Sequence, residues 1–270
     1  MNLPIGFMQG RLSPVPLGIY QRFPSDWKSE LLLARFHKFS HIEWIIDSFS
    51  ESFNPLLSSD LLPDLKASID SELTIYSVCV DIILEKFNSD TFNVDVCSDL
   101  LRFIISNSRQ IGVTTLVLPF IENLSLRNSP LRTQVVLMLN NLEDCCVNAS
   151  IKLALELDLS PAEISSLFHE LNSDYVGINY DTGNSAAFGF DIEDEFSAYS
   201  NLILDVHIKD RLLNGPPVLL GSGNANLRLA SQLIKDLPFK PIITLQAFRN
   251  HYDTNLLILQ RNWFEYLLHS

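Results

Sequence analysis

The sequence alternates short apolar runs with stretches of helical spacing, and this alternation limits the folds that the chain can adopt. Eight runs are rich in Ile, Val, Leu, Tyr and Thr, a composition typical of buried parallel strands. Each run is followed by a polar turn and then by a stretch with helical periodicity. The predicted strands are 4–10, 41–47, 73–81, 114–122, 152–159, 176–184, 202–210 and 241–248.

Strands that alternate with helices predict an α/β fold, in which right-handed crossovers join parallel strands. Eight strands favour a closed (β/α)₈ TIM barrel, and an open doubly wound sheet is the alternative. No linker rich in Gly, Ser or Pro divides the chain, so a single domain over 1–270 is expected. The predicted helix over 25–39 has Ser25 placed to cap it, and Ser160 with Glu163 predicts a capping box at another helix.

Charge and composition exclude several classes of protein. The net charge is −13, from 32 acidic and 19 basic side chains, so we expect neither a nucleic-acid partner nor an anionic membrane, since both require Lys and Arg. No stretch approaches the roughly 18 uninterrupted apolar residues of a membrane span, and the amino end lacks the basic segment of a signal peptide. The four cysteines form no CxxC pair, which favours reduced thiols and a cytoplasmic location.

Polar side chains lie near the carboxyl ends of the last four predicted strands, where the chemistry of a barrel is located. These side chains are Glu156, Asp181, His207 and Gln246. Strand periodicity puts each on the same face as the residue two positions earlier. Those earlier residues are Ala154, Asn179, Asp205 and Thr244. If this face is the barrel axis, the four later side chains converge from strands spaced about 4.8 Å apart.

Two carboxylates, an imidazole and an amide are costly in a mostly apolar cavity unless they are paired. One divalent metal ion resolves that cost, and oxygen and nitrogen ligands without thiolate suit Mn²⁺, Mg²⁺, Co²⁺ or Zn²⁺. For each residue taken alone, helix capping or a structural hydrogen bond is the alternative. Their coincidence on four consecutive strands favours a metal site.

Seven segments spread over nearly the whole chain match the pattern of a known family. They are GFMQGRLSP (6–14), IEWIID (42–47), LALELD (153–158), YDTGNSA (180–186), VHIKDR (206–211), LGSGNANL (220–227) and ITLQAFR (243–249). With DTGN and HIKDR as the most specific pieces, the chain resembles the xylose isomerase-like TIM-barrel superfamily of sugar and sugar-phosphate isomerases and epimerases. The resemblance implies that Glu156, Asp181 and His207 are metal ligands.

The same resemblance implies an enzyme of the isomerase class, a divalent-metal-dependent sugar or sugar-phosphate isomerase or epimerase of carbohydrate metabolism. The family reaction removes a proton next to a carbonyl and forms a metal-stabilised enediolate. Glu156 is the glutamate of the ligand layer that remains to act as the base. The implied partner is a small carbohydrate or sugar phosphate, and a homo-oligomer is left open.

Two positions depart from the family pattern and put the activity in question. Family epimerases usually have a second glutamate where this chain has Gln246, and several have a histidine where it has Asn184. A glutamine oxygen can ligate a cation but cannot take a proton at neutral pH. This favours one-base isomerisation over two-base epimerisation. The glutamine also leaves two alternatives open: a lyase or dehydratase that uses the same metal site, and a sugar-binding barrel with impaired catalysis.

Cationic residues also follow the predicted strands, although the chain is acidic overall. They are Arg11, Lys209, Arg211 and Arg249. Together with Asn184 they are expected to bind the substrate, and their charge favours a phosphate or carboxylate group, with local salt bridging as the alternative. Acidic residues at three other strand ends could supply a further base, with helix capping or surface pairing as the alternative. They are Glu43, Asp81 and Glu122. One of them, Glu43, could also contact the substrate.

Overall fold

The computed structural model describes residues 3–16, 18–171, 173–249 and 254–270, and its strands lie where the apolar runs predict them. Each of the eight predicted runs contains one barrel strand. In chain order the strands are β1 (Ile5–Met8), β2 (Ile42–Ile45), β3 (Ser77–Cys79), β4 (Thr115–Phe120), β5 (Lys152–Leu157), β6 (Val176–Asp181), β7 (Ile203–Ile208), β8 (Asp210–Arg211), β9 (Pro217–Val218) and β10 (Ile242–Leu245).

The ring of parallel strands is closed, in the order β1-β10-β7-β6-β5-β4-β3-β2. Closure is visible at Phe7 of β1, which lies opposite Leu245 of β10 on one side and Ile42 of β2 on the other. The (β/α)₈ barrel is therefore confirmed, and the open sheet is excluded because β1 is paired on both edges. The short strands β8 and β9 pair antiparallel with each other, outside the ring.

Helices connect the strands, and their starts follow the capping chemistry. The helix predicted over 25–39 begins at Trp27 because Asp26, and not Ser25, caps it by accepting from the Ser29 N–H at 3.1 Å. In the described residues the helices are α1 (Trp27–Phe36), α2 (Leu62–Ser68), α3 (Asp81–Lys86), α4 (Val94–Arg109), α5 (Ser129–Ala149), α6 (Pro161–Leu171), α7 (Thr182–Phe188), α8 (Ile192–Tyr199), α9 (Leu227–Asp236) and α10 (Asn255–His269). None of these described helices has the length and apolar character needed to cross a lipid bilayer.

The capping box predicted before α6 is present. The backbone N–H of Ser160 donates to the Glu163 carboxylate at 2.7 Å, and the Glu163 N–H lies 3.5 Å from the Ser160 hydroxyl. This box fixes the turn that follows β5, the strand that carries one of the predicted site residues.

The interior of the barrel is only partly apolar. A small cluster of buried side chains, separate from the main core, is Met8, Ile45, Cys79, Val117 and Ala154. Beside it lie polar side chains that are also buried: Glu43, Ser77, Asn179, Asp205, His207 and Thr244. The intervening residues Val206 and Ile208 of β7 belong to the large apolar core that the helices share. The alternation of β7 therefore sends its polar residues inward and its apolar residues outward, as predicted.

A buried carboxylate in α1 holds the loop that follows β1. Glu30 accepts from the backbone N–H groups of Gly10 at 2.8 Å and Leu12 at 2.9 Å, on either side of Arg11. Gly10 has φ of +87°, and a Cβ there would lie 2.4 Å from the carbonyl oxygen of Arg22, so the loop requires glycine. Burial raises the pKa of Glu30, while the two backbone donors act in the opposite direction.

We expect Glu30→Gln to destabilise the protein, because the new amide NH₂ faces one of the two backbone N–H donors. A buried donor without an acceptor costs about 1–3 kcal/mol, and urea unfolding followed by circular dichroism measures the loss. The control is Glu72→Gln at an exposed carboxylate, which should change stability by less than about 0.5 kcal/mol. Equal stability of the two variants would show that Glu30 does not hold this loop.

Candidate metal centre

Three side chains from neighbouring strands come together inside the barrel. Glu156 of β5, Asp181 of β6 and His207 of β7 are all buried, and one ligand atom of each lies within 4.8 Å of the others. Asp181 and His207 are direct partners in the register of the two strands. Three of the four strand-end positions that the sequence indicates therefore lie close together, and Gln246 is not part of this group.

One carboxylate oxygen of Asp181 caps a helix, and the other belongs to the ligand group. Its Oδ1 accepts from the backbone N–H groups of Gly183 and Asn184, each at 2.8 Å, so it caps α7 and ends β6 three residues earlier than the predicted run. Its Oδ2 has no hydrogen-bond partner among the described residues and lies 3.6 Å from Nζ of Lys209. A buried carboxylate oxygen of this kind is suited to bind a cation.

The carboxylate of Glu156 accepts a hydrogen bond from a side-chain amide and lies close to charged side chains. Its Oε1 accepts from Nδ2 of Asn184 at 2.6 Å, and its Oε2 lies 3.9 Å from Nδ1 of His207. Burial and the neighbouring Asp181 raise the pKa of Glu156 to about 7, although His207 and Lys209 act to lower it. A carboxylate whose pKa lies near neutrality can both take and return a proton.

The ring of His207 lies between a carboxylate and an amide. Its Nε2 lies 2.8 Å from Oε1 of Glu43, and its Nδ1 lies 3.0 Å from Nδ2 of Asn179. Burial lowers the pKa of His207, but the carboxylates of Glu43, Glu156 and Asp205 outweigh it and raise the pKa to about 10. A carboxylate at one ring nitrogen is the usual way to orient a histidine that binds a metal through the other.

Glu43 lies inside β2 and not at the strand end where the sequence suggested it. It is fully buried, and its Oε2 accepts from the hydroxyl of Ser77 at 2.7 Å. With Asp205 and His207 it forms a second group whose ligand atoms lie within 4.8 Å of one another. Neither oxygen of Asp205 has a hydrogen-bond partner in the described part of the chain, and burial raises its pKa well above the ordinary value. In this structure Glu43 contacts the candidate ligand His207.

In the described part of the chain, no hydrogen bond or ion pair joins the other two acidic strand-end residues to Glu156, Asp181 or His207. Asp81 opens α3, and its carboxylate accepts from the thiol of Cys79 at 3.1 Å and from the side-chain amide of Gln21. Burial raises the pKa of Asp81 to about 6. Glu122 begins a short 3₁₀ helix, Glu122–Leu124, after β4.

Gln246 follows β10 and is engaged with a lysine. Its Oε1 accepts from Nζ of Lys209 at 2.9 Å, and its Nε2 donates to Oε1 of Gln21 at 3.0 Å. The ammonium of Lys209 thus lies between Gln246 and Asp181. Gln21 was not predicted from the sequence, because it lies in the loop after β1, where no periodicity indicates a functional residue.

Asn184 connects Glu156 to a cationic side chain. Its Oδ1 accepts from Nη1 of Arg211 at 2.8 Å, while its Nδ2 donates to Glu156. The Nε of Arg211 donates to the carbonyl oxygen of Gly215 at 3.1 Å. Asn184 therefore positions the glutamate directly.

The four cationic residues singled out in the sequence line one cavity of about 250 Å³, together with Gln246 and Glu122. They are Arg11, Lys209, Arg211 and Arg249. Local salt bridging does not account for them: among the described residues Lys209 forms the ion pair with Asp181, while no carboxylate lies within 4.0 Å of the other three.

No protein-family model matches the sequence, and no curated protein matches it. Solved structures do match. The chain is 16% identical to a xylose isomerase-like TIM barrel protein from Mycobacterium smegmatis in complex with magnesium, with a TM-score of 0.70; the match covers 99% of this chain and 97% of that chain. It is 17% identical to an IOLI protein with a bound zinc atom, with a TM-score of 0.72 and 98% of each chain covered.

A third match is D-psicose 3-epimerase in the presence of D-fructose, at 11% identity and a TM-score of 0.75, covering 99% of this chain and 100% of that chain. Identities this low show the fold. The chain has the fold of xylose isomerase-like TIM barrel proteins, and at that level the resemblance stated from the sequence is confirmed.

In the metal-free protein, stability should depend on pH through Glu156. The folded pKa of about 7 lies above the ordinary 4.5, so this carboxyl contributes stability that is full below pH 4.5 and lost as pH rises through 7. Relative to Glu156→Gln, the wild type should lose about 1–3 kcal/mol over that range. Urea unfolding in chelator at stepped pH measures it, with Glu72→Gln as the exposed control. A difference that stays constant with pH would contradict this environment for Glu156.

Proposed function

We propose that the protein is a divalent-metal-dependent sugar isomerase or epimerase in which Glu156 is the base. The observation that carries this proposal is the convergence of Glu156, Asp181 and His207, with ligand atoms within 4.8 Å of one another. Support also comes from the shared fold, since solved proteins of this fold include magnesium- and zinc-bound barrels and sugar epimerases.

The donor set fits a divalent ion. Two carboxylates and an imidazole, without thiolate, suit Mn²⁺, Mg²⁺, Co²⁺ or Zn²⁺. The Oδ2 atom of Asp181 is buried without a hydrogen-bond partner among the described residues, which favours a cation beside it. Gln246 stays outside our ligand set because its oxygen already accepts from Lys209. When bound, the metal would supply a Lewis acid that polarises the carbonyl oxygen of the substrate.

The chain's own residues would hold and move the proton. Glu156 accepts the proton from the carbon next to the carbonyl, and its pKa of about 7 allows it to return the proton to the neighbouring carbon. Asn184 keeps the carboxylate in place by donating to Oε1. Because Gln246 cannot exchange protons at neutral pH, a single base serves both transfers at carbon, which favours aldose–ketose isomerisation. In that reaction the hydroxyl proton of the substrate moves to the former carbonyl oxygen, so that the overall step balances. Small carbohydrates are the proposed substrates.

Asp181→Asn should weaken the binding of Mn²⁺ by at least about tenfold, because it removes the free carboxylate oxygen from the ligand group. The variant keeps an oxygen that can accept from the N–H groups of Gly183 and Asn184, so the cap of α7 is preserved. Isothermal titration of chelator-treated protein with Mn²⁺ gives the affinity, and Asp174→Asn, at an exposed position, should titrate like the wild type. Unchanged affinity in Asp181→Asn would remove this residue from the site.

The reaction itself is tested by hydrogen exchange in deuterated water. With Mn²⁺ and a panel of ketoses, the wild type should exchange the proton next to the carbonyl, followed by proton NMR. Glu156→Gln should lose about 10²–10⁴-fold in exchange rate because the base is absent, whereas Glu72→Gln should exchange at the wild-type rate.

Three results would contradict the proposal. Exchange that survives in Glu156→Gln would exclude this residue as the base. Loss of water from the substrate would identify a lyase or dehydratase. A silent wild type together with an active Gln246→Glu variant would identify a sugar-binding barrel that has lost catalysis.

A further inference from the structure

Two buried arginines beside the cavity carry N–H groups without acceptors. Arg11 and Arg249 are each only 7% exposed. Arg11 donates from Nε to the carbonyl oxygen of Ala247 at 3.2 Å, and Arg249 donates from Nη2 to that of Ser13 at 2.5 Å. Nη1 of Arg11, and Nε and Nη1 of Arg249, have no hydrogen-bond partner among the described residues. Because buried charged donors are costly when unpaired, an acceptor from outside the chain is expected here.

The positive charge of this pair is only partly balanced. Burial and the neighbouring Arg249 lower the pKa of Arg11 to about 9, although Glu30 and more distant carboxylates act to raise it. Burial lowers the pKa of Arg249 to about 10, and Glu30 opposes that shift as well. Glu30 thus serves both arginines, while its oxygens already accept from the backbone of Gly10 and Leu12. Asp81 and Glu43 also act on Arg11, but Glu30 is the carboxylate that acts on both guanidinium groups.

The same cavity adjoins the candidate metal centre. Lys209 and Arg211 line it with the two buried arginines, and Glu122 is the carboxylate in its lining. Lys209 also lies 3.6 Å from Asp181 of the ligand cluster. A ligand that fills the cavity with its anionic end can therefore extend toward Glu156 and Asp181.

We propose that this cavity binds the phosphate group of a phosphorylated sugar, with Arg11 and Arg249 as its principal donors. This inference rests on the proposed function, because it needs the carbonyl end of the sugar at the metal centre. A phosphate monoester offers three oxygens and a charge of about −1.5 to −2 at neutral pH. Guanidinium groups match such oxygens with paired N–H donors. A carboxylate offers two oxygens and one charge, and would leave part of this donor set unused.

Binding of inorganic phosphate to the full-length protein in chelator tests the cavity without the metal. Isothermal titration should give saturable binding, and both Arg249→Gln and Arg11→Gln should weaken it at least about tenfold. Arg228→Gln removes an equal charge at an exposed position of α9 and should bind like the wild type. Arg249→Lys keeps the charge but loses the paired N–H donors of the guanidinium group, so its affinity for phosphate should fall between those of the wild type and Arg249→Gln. Thermal unfolding verifies that each variant is folded.

Several outcomes would overturn the inference. Absence of saturable phosphate binding, or equal binding by the wild type and folded Arg249→Gln, would exclude these donors. Acetate that binds as tightly as phosphate would assign the cavity to a carboxylate.

The metal-centre variants separate this inference from the proposed function. Asp181→Asn should lose Mn²⁺ affinity and keep phosphate binding, whereas Arg249→Gln should keep Mn²⁺ affinity and show a KM raised at least about tenfold for a ketose phosphate. Phosphate binding without proton exchange would overturn the proposed function alone. Exchange of unphosphorylated ketoses without phosphate binding would overturn this inference alone.

Discussion

Negative charge enclosed in a closed barrel is the constraint on which this site depends. Four carboxylates are buried there: Glu43, Glu156, Asp181 and Asp205. Among the described residues, the basic side chains in contact with them are His207 and Lys209. Ionised carboxylates in a poorly solvated interior must share protons or bind cations, and burial raises the pKa of both Glu156 and Asp205 accordingly. Under the proposed function, a divalent ion held by Glu156, Asp181 and His207 would reduce this cost, and so would protons shared between Glu43 and Asp205.

The neutral side chain at position 246 affects the charge balance around Lys209. In the family pattern a second glutamate stands there, so a lysine at position 209 would lie between two carboxylates. Among the residues that the structure describes, Asp181 is the carboxylate paired with Lys209, and the other neighbour of Lys209, Gln246, is neutral. The side of the site that faces the cavity is consequently more positive than the family pattern implies. Under the proposed function, a glutamine at this position would leave a single base and would also favour an anionic group on the substrate.

The sequence predicted those features that depend on local patterns. Alternation along β7 placed Asp205 and His207 on one inward face, and the register of adjacent parallel strands brought Asp181 next to His207. The contact between Glu43 and His207 could not be predicted, because β2 and β7 are not neighbours and the approach of their side chains depends on the width of the closed ring. The role of Gln21 could not be predicted either, since this residue lies in a loop without periodicity.

Asn184 gives the second departure from the family pattern a physical role. It donates to Glu156 at 2.6 Å and accepts from Arg211 at 2.8 Å, so the proposed base and a cationic side chain of the cavity wall contact the same amide. A neutral histidine also has one donor and one acceptor, but they are separate ring nitrogens and not the oxygen and nitrogen of one amide group. An anion that draws the Arg211 guanidinium toward the cavity would pull on Asn184 and therefore on the carboxylate. Under the proposed function, the position of Glu156 would in this way depend on the occupancy of the cavity, and recognition of the anionic end of a substrate would be coupled to the group that takes its proton.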